Sequence, residues 1–321
     1  MDEEARRRRR EEARRRVYRR RRLVAGGAAA LVAVLVLAVG LLVGAGGGDD
    51  QPEANPQARP AELPRGGRAI LPDRRVVAFY GAPQDRELGV LGIGSPRSAA
   101  RKLERQARPY ASRGRPVLPA FELIAAIVTS EAGDGGDHSM RQEPSTIRRY
   151  LRAARAHRML LLLDIQPGYA PFLQEAEALE QFLKEPDVSL ALDPEWSMEP
   201  PQLPAQEIGS TDAATINDVS RYLSSIVRRY DLPQKLLVVH RFTGDMIEAE
   251  HDLDRHPGVA LVVNVDGFGD QPNKISKYRE FTSDLRRRFN GFKLFYEEDV
   301  NLMKPRQVLG LRPKPDLVVY E

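Results

Sequence analysis

The 321-residue sequence has no cysteine. Disulfides, thiolate nucleophiles, cysteine-bound zinc, iron–sulfur clusters and lipid attachment through an N-terminal cysteine are therefore excluded. Histidine is scarce: only His138, His157, His240, His251 and His256 occur, with no His-x-His, which disfavours a histidine-rich zinc site. A single tryptophan, Trp196, is present. No Gly-x-Gly-x-x-Gly joins a strand-like run to a helical one, so the dinucleotide-binding fingerprint is missing too.

A net positive charge is also lacking once one end is set aside. The chain carries a net +4 and a pI near 9.3. Residues 1–22 hold 12 arginines against five acids, leaving 37 basic against 40 acidic residues elsewhere. The bulk of the chain is mildly acidic, so nucleic acid is not expected as a partner.

Leu23 to Gly48 is free of charge and rich in Ala, Val and Leu. About 20 apolar residues suffice to span a bilayer as a helix, and arginines on one flank hold that flank in the cytoplasm. The expected organisation is a cytoplasmic Arg-rich segment 1–22, a transmembrane helix 23–45, a Pro/Gly-rich linker 46–70 and a folded domain 71–321 outside the plasma membrane. Val43-Gly44-Ala45 also fits a signal-peptidase site. The apolar run is longer than an ordinary signal core, which favours a retained single-pass anchor.

From residue 74 onward, short β-branched runs alternate with amphipathic segments. Eight strands are expected at Arg75–Tyr80, Val117–Ala125, Met159–Ile165, Val188–Leu192, Lys235–His240, Val259–Val265, Phe292–Tyr296 and Leu317–Tyr320. Helices are expected over Pro96–Ser112, Pro144–His157, Pro171–Lys184, Asp212–Tyr230 and Lys274–Phe289. This alternation implies parallel strands, and its size suits an α/β (β/α)8 TIM-like barrel. No clear final helix follows the last strand; the segment before the first strand would cover that gap, or the barrel is irregular. A doubly wound open sheet is the alternative.

Barrel enzymes work at the C-terminal ends of their strands. Here those ends carry Tyr80, Glu122, Asp164, Asp193 with Glu195 and Trp196, His240, Asp266 and Glu297. Side chains at i and i+2 share a strand face, so Asp193 and Glu195 are expected to point together into the mouth. Paired carboxylates push their pKa values apart, as acid–base chemistry needs. Trp196 is either a sugar-stacking platform or a packed core residue. Catalysis is assigned to Glu195, Asp193 and Asp164, and substrate binding to Tyr80, Glu122, Trp196, His240, Asp266 and Glu297. No metal or cofactor is expected, although an all-oxygen Ca²⁺ or Mg²⁺ site from Asp164, Asp193, Asp266 and Glu297 is left open. The expected function is hydrolysis of cell-wall or surface polysaccharide, with a non-catalytic glycan-binding barrel as the alternative.

The Asp193-x-Glu195 pattern resembles that of chitinase-type and lysozyme-type barrel glycosidases. The resemblance implies Glu195 as general acid and Asp193 as a residue orienting a substrate N-acetyl group. The fuller D-x-x-D-x-D-x-E run is missing, because Ser189-Leu190-Ala191-Leu192 precedes. Residues 76–321 also resemble a family of bacterial membrane-anchored surface proteins with a glycoside-hydrolase-like barrel. The motifs are Tyr80-Gly81, Leu88-Gly89-Val90-Leu91-Gly92, Leu163-Asp164-Ile165-Gln166-Pro167-Gly168, Ala191-Leu192-Asp193-Pro194-Glu195-Trp196, Pro233-Gln234-Lys235-Leu236-Leu237 and Asp266-Gly267-Phe268-Gly269. That resemblance implies the barrel and the surface placement and brings no activity of its own.

Overall fold

The computed structural model describes residues 60–133, 135–283 and 288–321. The expected cytoplasmic segment, membrane helix and most of the linker lie outside the described residues. Among those described, no helix is long and apolar enough to cross a membrane.

Eight parallel strands form the core: β1 (Arg75–Gly81), β2 (Val117–Val128), β3 (Leu160–Ile165), β4 (Val188–Leu192), β5 (Lys235–Arg241), β6 (Val259–Val265), β7 (Phe289–Leu294) and β8 (Leu317–Tyr320). Each pairs with the next in chain order. The ring closes through β1, which pairs with β2 from Arg75↔Val117 to Gly81↔Leu123 and with β8 from Val76↔Leu317 to Phe79↔Tyr320. An open doubly wound sheet is thereby excluded. The closed sheet has the (β/α)8 TIM-barrel topology.

Alternation along each strand sorts the apolar residues into two cores. Val76, Ala78, Leu118, Ala120, Leu160, Leu162, Leu236, Val238, Val262 and Val319 fill the barrel interior. Val77, Phe79, Phe121, Leu161, Leu163, Leu190, Val239, Val263 and Phe292 face the surrounding helices. Those helices are α1 (Pro96–Ala107), α2 (Pro144–Ala156), α3 (Phe172–Ala178), α4 (Glu180–Leu183), α5 (Ala213–Arg229), α6 (Gln271–Phe281) and α7 (Pro305–Val308). Ser95, Asp212 and Asp270 start α1, α5 and α6 by accepting the N–H of Ser98, Thr215 and Asn273, which satisfies donors that the helix itself cannot.

Several boundaries differ from the sequence pattern. The helix expected over Pro171–Lys184 is divided at Leu179 into α3 and α4. The one expected over Lys274–Phe289 begins earlier, where Asp270 caps it and Pro272 stands in its first turn, and it ends at Phe281. Strand β7 starts at Phe289 and stops at Leu294, so Tyr296 and Glu297 lie beyond it. Between β5 and β6 the described chain has no α-helix; it forms a two-residue strand, Ile247–Glu248, and a 3₁₀ turn at Glu250–Asp252.

The segment before β1 does not fill the place of a final helix. It runs under the barrel, where Leu63, Ile70 and Leu71 close the interior core from below. Arg68 donates to the carbonyls of Asp231 and Leu232, and Gln234 Oε1 accepts from the Ile70 and Leu71 N–H groups at 2.7 and 2.9 Å. Residues 60–70, expected as the end of the linker, are thus part of the folded unit. The wall beside β8 is completed by Tyr110, whose hydroxyl is 2.5 Å from that of Tyr320.

Lys235 enters β5 at the barrel floor, fully buried, and donates to the carbonyls of Glu185 and Val188 at 2.8 and 2.6 Å. Burial pulls its ammonium down to about 7, against the opposing charges of Asp187 and Glu185. A neutral amine has two N–H donors for these two carbonyls. Between pH 7 and the unfolded value, the unfolded chain binds one more proton than the folded one, so stability should rise with pH through that window. Below pH 7 the penalty is present in full. The stability difference between wild type and Lys235→Met, from urea denaturation, should therefore move in favour of wild type by on the order of 4 kcal/mol from pH 7 to 10. A difference that stayed constant with pH would mean that Lys235 folds charged.

Candidate active site

Each strand places a polar side chain at the C-terminal end of the barrel. These are Tyr80 on β1, Glu122 on β2, Asp164 on β3, Asp193 just after β4, His240 on β5, Asn264 on β6 with Asp266 just after it, Lys293 on β7 and Glu321 just after β8. Tyr80, Glu122, Asp164, Asp193, Glu195, His240 and Asp266 are all buried. Seven of the nine residues expected at the site therefore share the end of the barrel.

Their contacts form one network. Tyr80 donates its hydroxyl to Asp164 Oδ2 at 3.0 Å and accepts from Gln166 Nε2 at 3.0 Å. His240 lies between two carboxylates, with Nδ1 2.8 Å from Asp266 Oδ2 and Nε2 3.0 Å from Glu122 Oε1. Lys293 Nζ is 3.1 Å from Asp266 Oδ2, 2.8 Å from Glu321 Oε2 and 3.8 Å from the centre of the Tyr80 ring. Glu122 Oε2, Asp164 Oδ1 and Asp193 Oδ1 have no hydrogen-bond partner among the described residues.

The electrostatics follow from this crowding. Burial raises the Asp164 carboxyl to about 6; His240 opposes the shift and Glu122 adds to it. Asp193 is pushed well above the usual carboxylate range by burial and by the charges of Asp164 and Glu195, against His240. Burial would also raise Asp266, but Lys293 and the hydrogen bond from His240 outweigh it and hold that carboxyl far below its ordinary value. Burial and Lys293 pull His240 down, yet hydrogen bonds to Asp266 and Glu122 leave it well above the usual imidazole value. Asp266 is therefore favoured as a carboxylate beside His240 and Lys293, while burial and neighbouring acids favour the neutral form of Asp193.

Asp193 and Glu195 are neighbours for a different reason than strand alternation. Strand β4 ends at Leu192 and Pro194–Trp196 forms a 3₁₀ turn. Glu195 therefore sits on that turn, above Asp193. The turn also rotates Trp196 away from any open platform. Trp196 packs with Val128, Met198, Ala205 and Tyr169 in a small separate core, which pins the long loop after β4 against its neighbours. Gly168 makes this packing possible: its φ is +64°, and a Cβ there would lie 2.0 Å from the Asp137 carbonyl. Glu297 is also apart from the network, exposed on the rim and 3.5 Å from Arg86. With Glu297 on the rim and Asp266 engaged by His240 and Lys293, the all-oxygen cation set is not assembled.

Gln166, Asn264 and Glu321, strand-end residues to which the sequence assigned no role, belong to the site, and so does Lys293, which was not expected there. A signal for Lys293 was present. A lone lysine inside Phe292-Lys293-Leu294-Phe295 must be buried, and a buried lysine needs carboxylate partners.

No protein-family model matches the sequence, and no curated relative matches it. Among solved structures, the crystal structure of a β-glucuronidase from Parabacteroides merdae, with glycerol in its active site, is similar at 10% identity and a TM-score of 0.38. The alignment covers 79% of this chain and 32% of that one, so this chain spans about a third of the β-glucuronidase.

Proposed function

We propose that the barrel is a glycoside hydrolase in which Asp193 and Glu195 share the acid–base work. The observation that carries this reading is the buried pair itself. Two carboxyl groups lie close enough for Glu195 to raise the Asp193 pKa, at the end of the barrel where such enzymes react. One proton shared by two such groups supplies both an acid and a carboxylate, the combination that glycosidic cleavage requires. Asp193, whose carboxyl is pushed up, holds the shared proton at rest and passes it to Glu195, which delivers it to the leaving oxygen from the turn after the strand end. Asp193, left as a carboxylate, stabilises the charge that develops on the sugar until water adds to the anomeric carbon and returns a proton to the pair. Tyr80, Glu122, Asp164, His240 and Asp266 shape and charge the floor beneath the sugar.

The substrate is proposed to be cell-wall or surface polysaccharide, with the barrel held outside the plasma membrane by residues 23–45. The apolar run and its arginine flank support this placement. Added protease should remove the barrel from intact cells expressing the chain; a fully protected barrel would contradict it. For the activity, the full chain should release reducing ends from wall polysaccharide, and the double variant Asp193→Asn/Glu195→Gln should not. Retention of the polymer without release of reducing ends would instead favour a glycan-binding barrel.

A further inference from the structure

Glu122, Asp164 and His240 come from three strands, and each offers one ligand atom within 4.8 Å of the others'. All three side chains are at most 1% exposed. Glu122 Oε2 and Asp164 Oδ1 have no hydrogen-bond partner among the described residues. A carboxylate oxygen left in a dry interior without a donor is costly, and two of them on the side chains that flank one imidazole nitrogen mark a place for a cation. Among the described residues, the carboxyls of Glu122, Asp164, Asp193, Asp266 and Glu321 are gathered around His240 and Lys293.

The far side of the imidazole is arranged for the same purpose. Nδ1 is 2.8 Å from Asp266 Oδ2, and Asp266 is itself fixed by Lys293 at 3.1 Å and by the Gly267 N–H at 2.5 Å. A histidine whose Nδ1–H is held by a carboxylate presents Nε2 as a ligand in a set orientation. Nε2 points to Glu122 Oε1 at 3.0 Å and Asp164 Oδ1 at 3.9 Å.

We propose that Glu122, Asp164 and His240 bind one divalent transition-metal ion, with Asp266 as the positioning residue behind His240. The donor set of one imidazole nitrogen and two carboxylates suits Mn²⁺ or Zn²⁺ better than Ca²⁺ or Mg²⁺, which prefer oxygen alone. On binding, the metal replaces the proton on His240 Nε2, and that proton leaves to solvent. The inference does not depend on the glycosidic reading, because binding is measured without any glycan.

The test is calorimetric titration of the chelator-stripped full chain with Mn²⁺ and with Zn²⁺, in two buffers of different ionisation heat. The expected result is one ion per chain, proton release, and a melting temperature that rises with metal concentration. Glu122→Gln, nearly isosteric, should weaken binding at least ten-fold, and Asp266→Asn should weaken it by about 10–100-fold. His138→Gln, outside the ligand set, should bind as wild type does. No stoichiometric binding by a stripped chain whose circular dichroism is native would overturn the proposal. So would binding unchanged in Glu122→Gln and Asp266→Asn, since the ion would then sit elsewhere. A chain that binds metal but cleaves no glycan sustains this inference and rejects the hydrolase reading; the converse outcome does the opposite.

Discussion

Glu195→Gln and Asp193→Asn are each expected to lower kcat/KM for glycan hydrolysis by about 10²–10⁴-fold, the usual contribution of a positioned acid or base. Both replacements keep the size of the side chain and remove its ability to exchange a proton. The two losses should differ in kind. If Glu195 protonates the leaving oxygen, its glutamine variant should recover most of its rate on aryl glycosides, whose leaving groups need little proton help. It should also lose the fall in activity on the alkaline side, since that limb reports deprotonation of the acid. Asp193→Asn should recover nothing on the same substrates, because charge stabilisation at the sugar is needed for any leaving group. Steady-state kinetics across pH, with one natural and one activated substrate, separates these outcomes. If both variants keep wild-type rates on both substrates, the acid–base assignment is wrong. If the activated substrate rescues Asp193→Asn instead, the two roles are exchanged.

Lys293→Met is expected to cost about 3–5 kcal/mol of folding stability, the usual penalty for removing one partner from a buried ion pair. Lys293 is 2% exposed and contacts two carboxylates, at 3.1 Å for Asp266 and 2.8 Å for Glu321. Burial pulls its ammonium down, but Asp266, Glu321 and Asp193 together leave it well above the ordinary lysine value. A raised lysine contributes its stability fully below the unfolded pKa near 10.5 and loses it only as pH climbs through the still higher folded value. The loss should therefore be nearly constant from pH 6 to 9. The double variant Lys293→Met/Asp266→Asn should recover part of it, because one uncompensated charge is removed together with its partner. Equilibrium urea unfolding of the three chains checks this. A loss below about 1 kcal/mol would show that the cluster does not depend on this ammonium.

The eight strands were legible because a buried parallel strand is a short apolar run, such as Leu160–Ile165 or the valine-rich Val259–Val265, and such runs need no partner to be recognised. Strand β7 was placed late because Gly291 and Lys293 interrupt its apolar pattern. Their reasons, close approach to Asn264 and pairing with Asp266 and Glu321, come from other strands. The gathering of acids at strand ends was legible as well, since a parallel barrel brings all those ends to one side.

By itself, the sequence determined the absence of thiol chemistry, the alternation of strand and helix, and the set of acids carried by the strand ends. Each of these depends on residue type and spacing along the chain, and so survives without a third dimension. Only the tertiary structure decided that β1 meets β8 and closes the sheet. It also decided that residues 60–70 plug the floor, that a 3₁₀ turn sends Trp196 into a small core while keeping Glu195 above Asp193, that Glu297 stays on the rim, and that His240 sits between Asp266 and Glu122 with Lys293 beside them. The reason is physical. Whether two charges meet inside a barrel depends on the register of strands far apart in sequence, and a register is selected by packing and burial over the whole sheet.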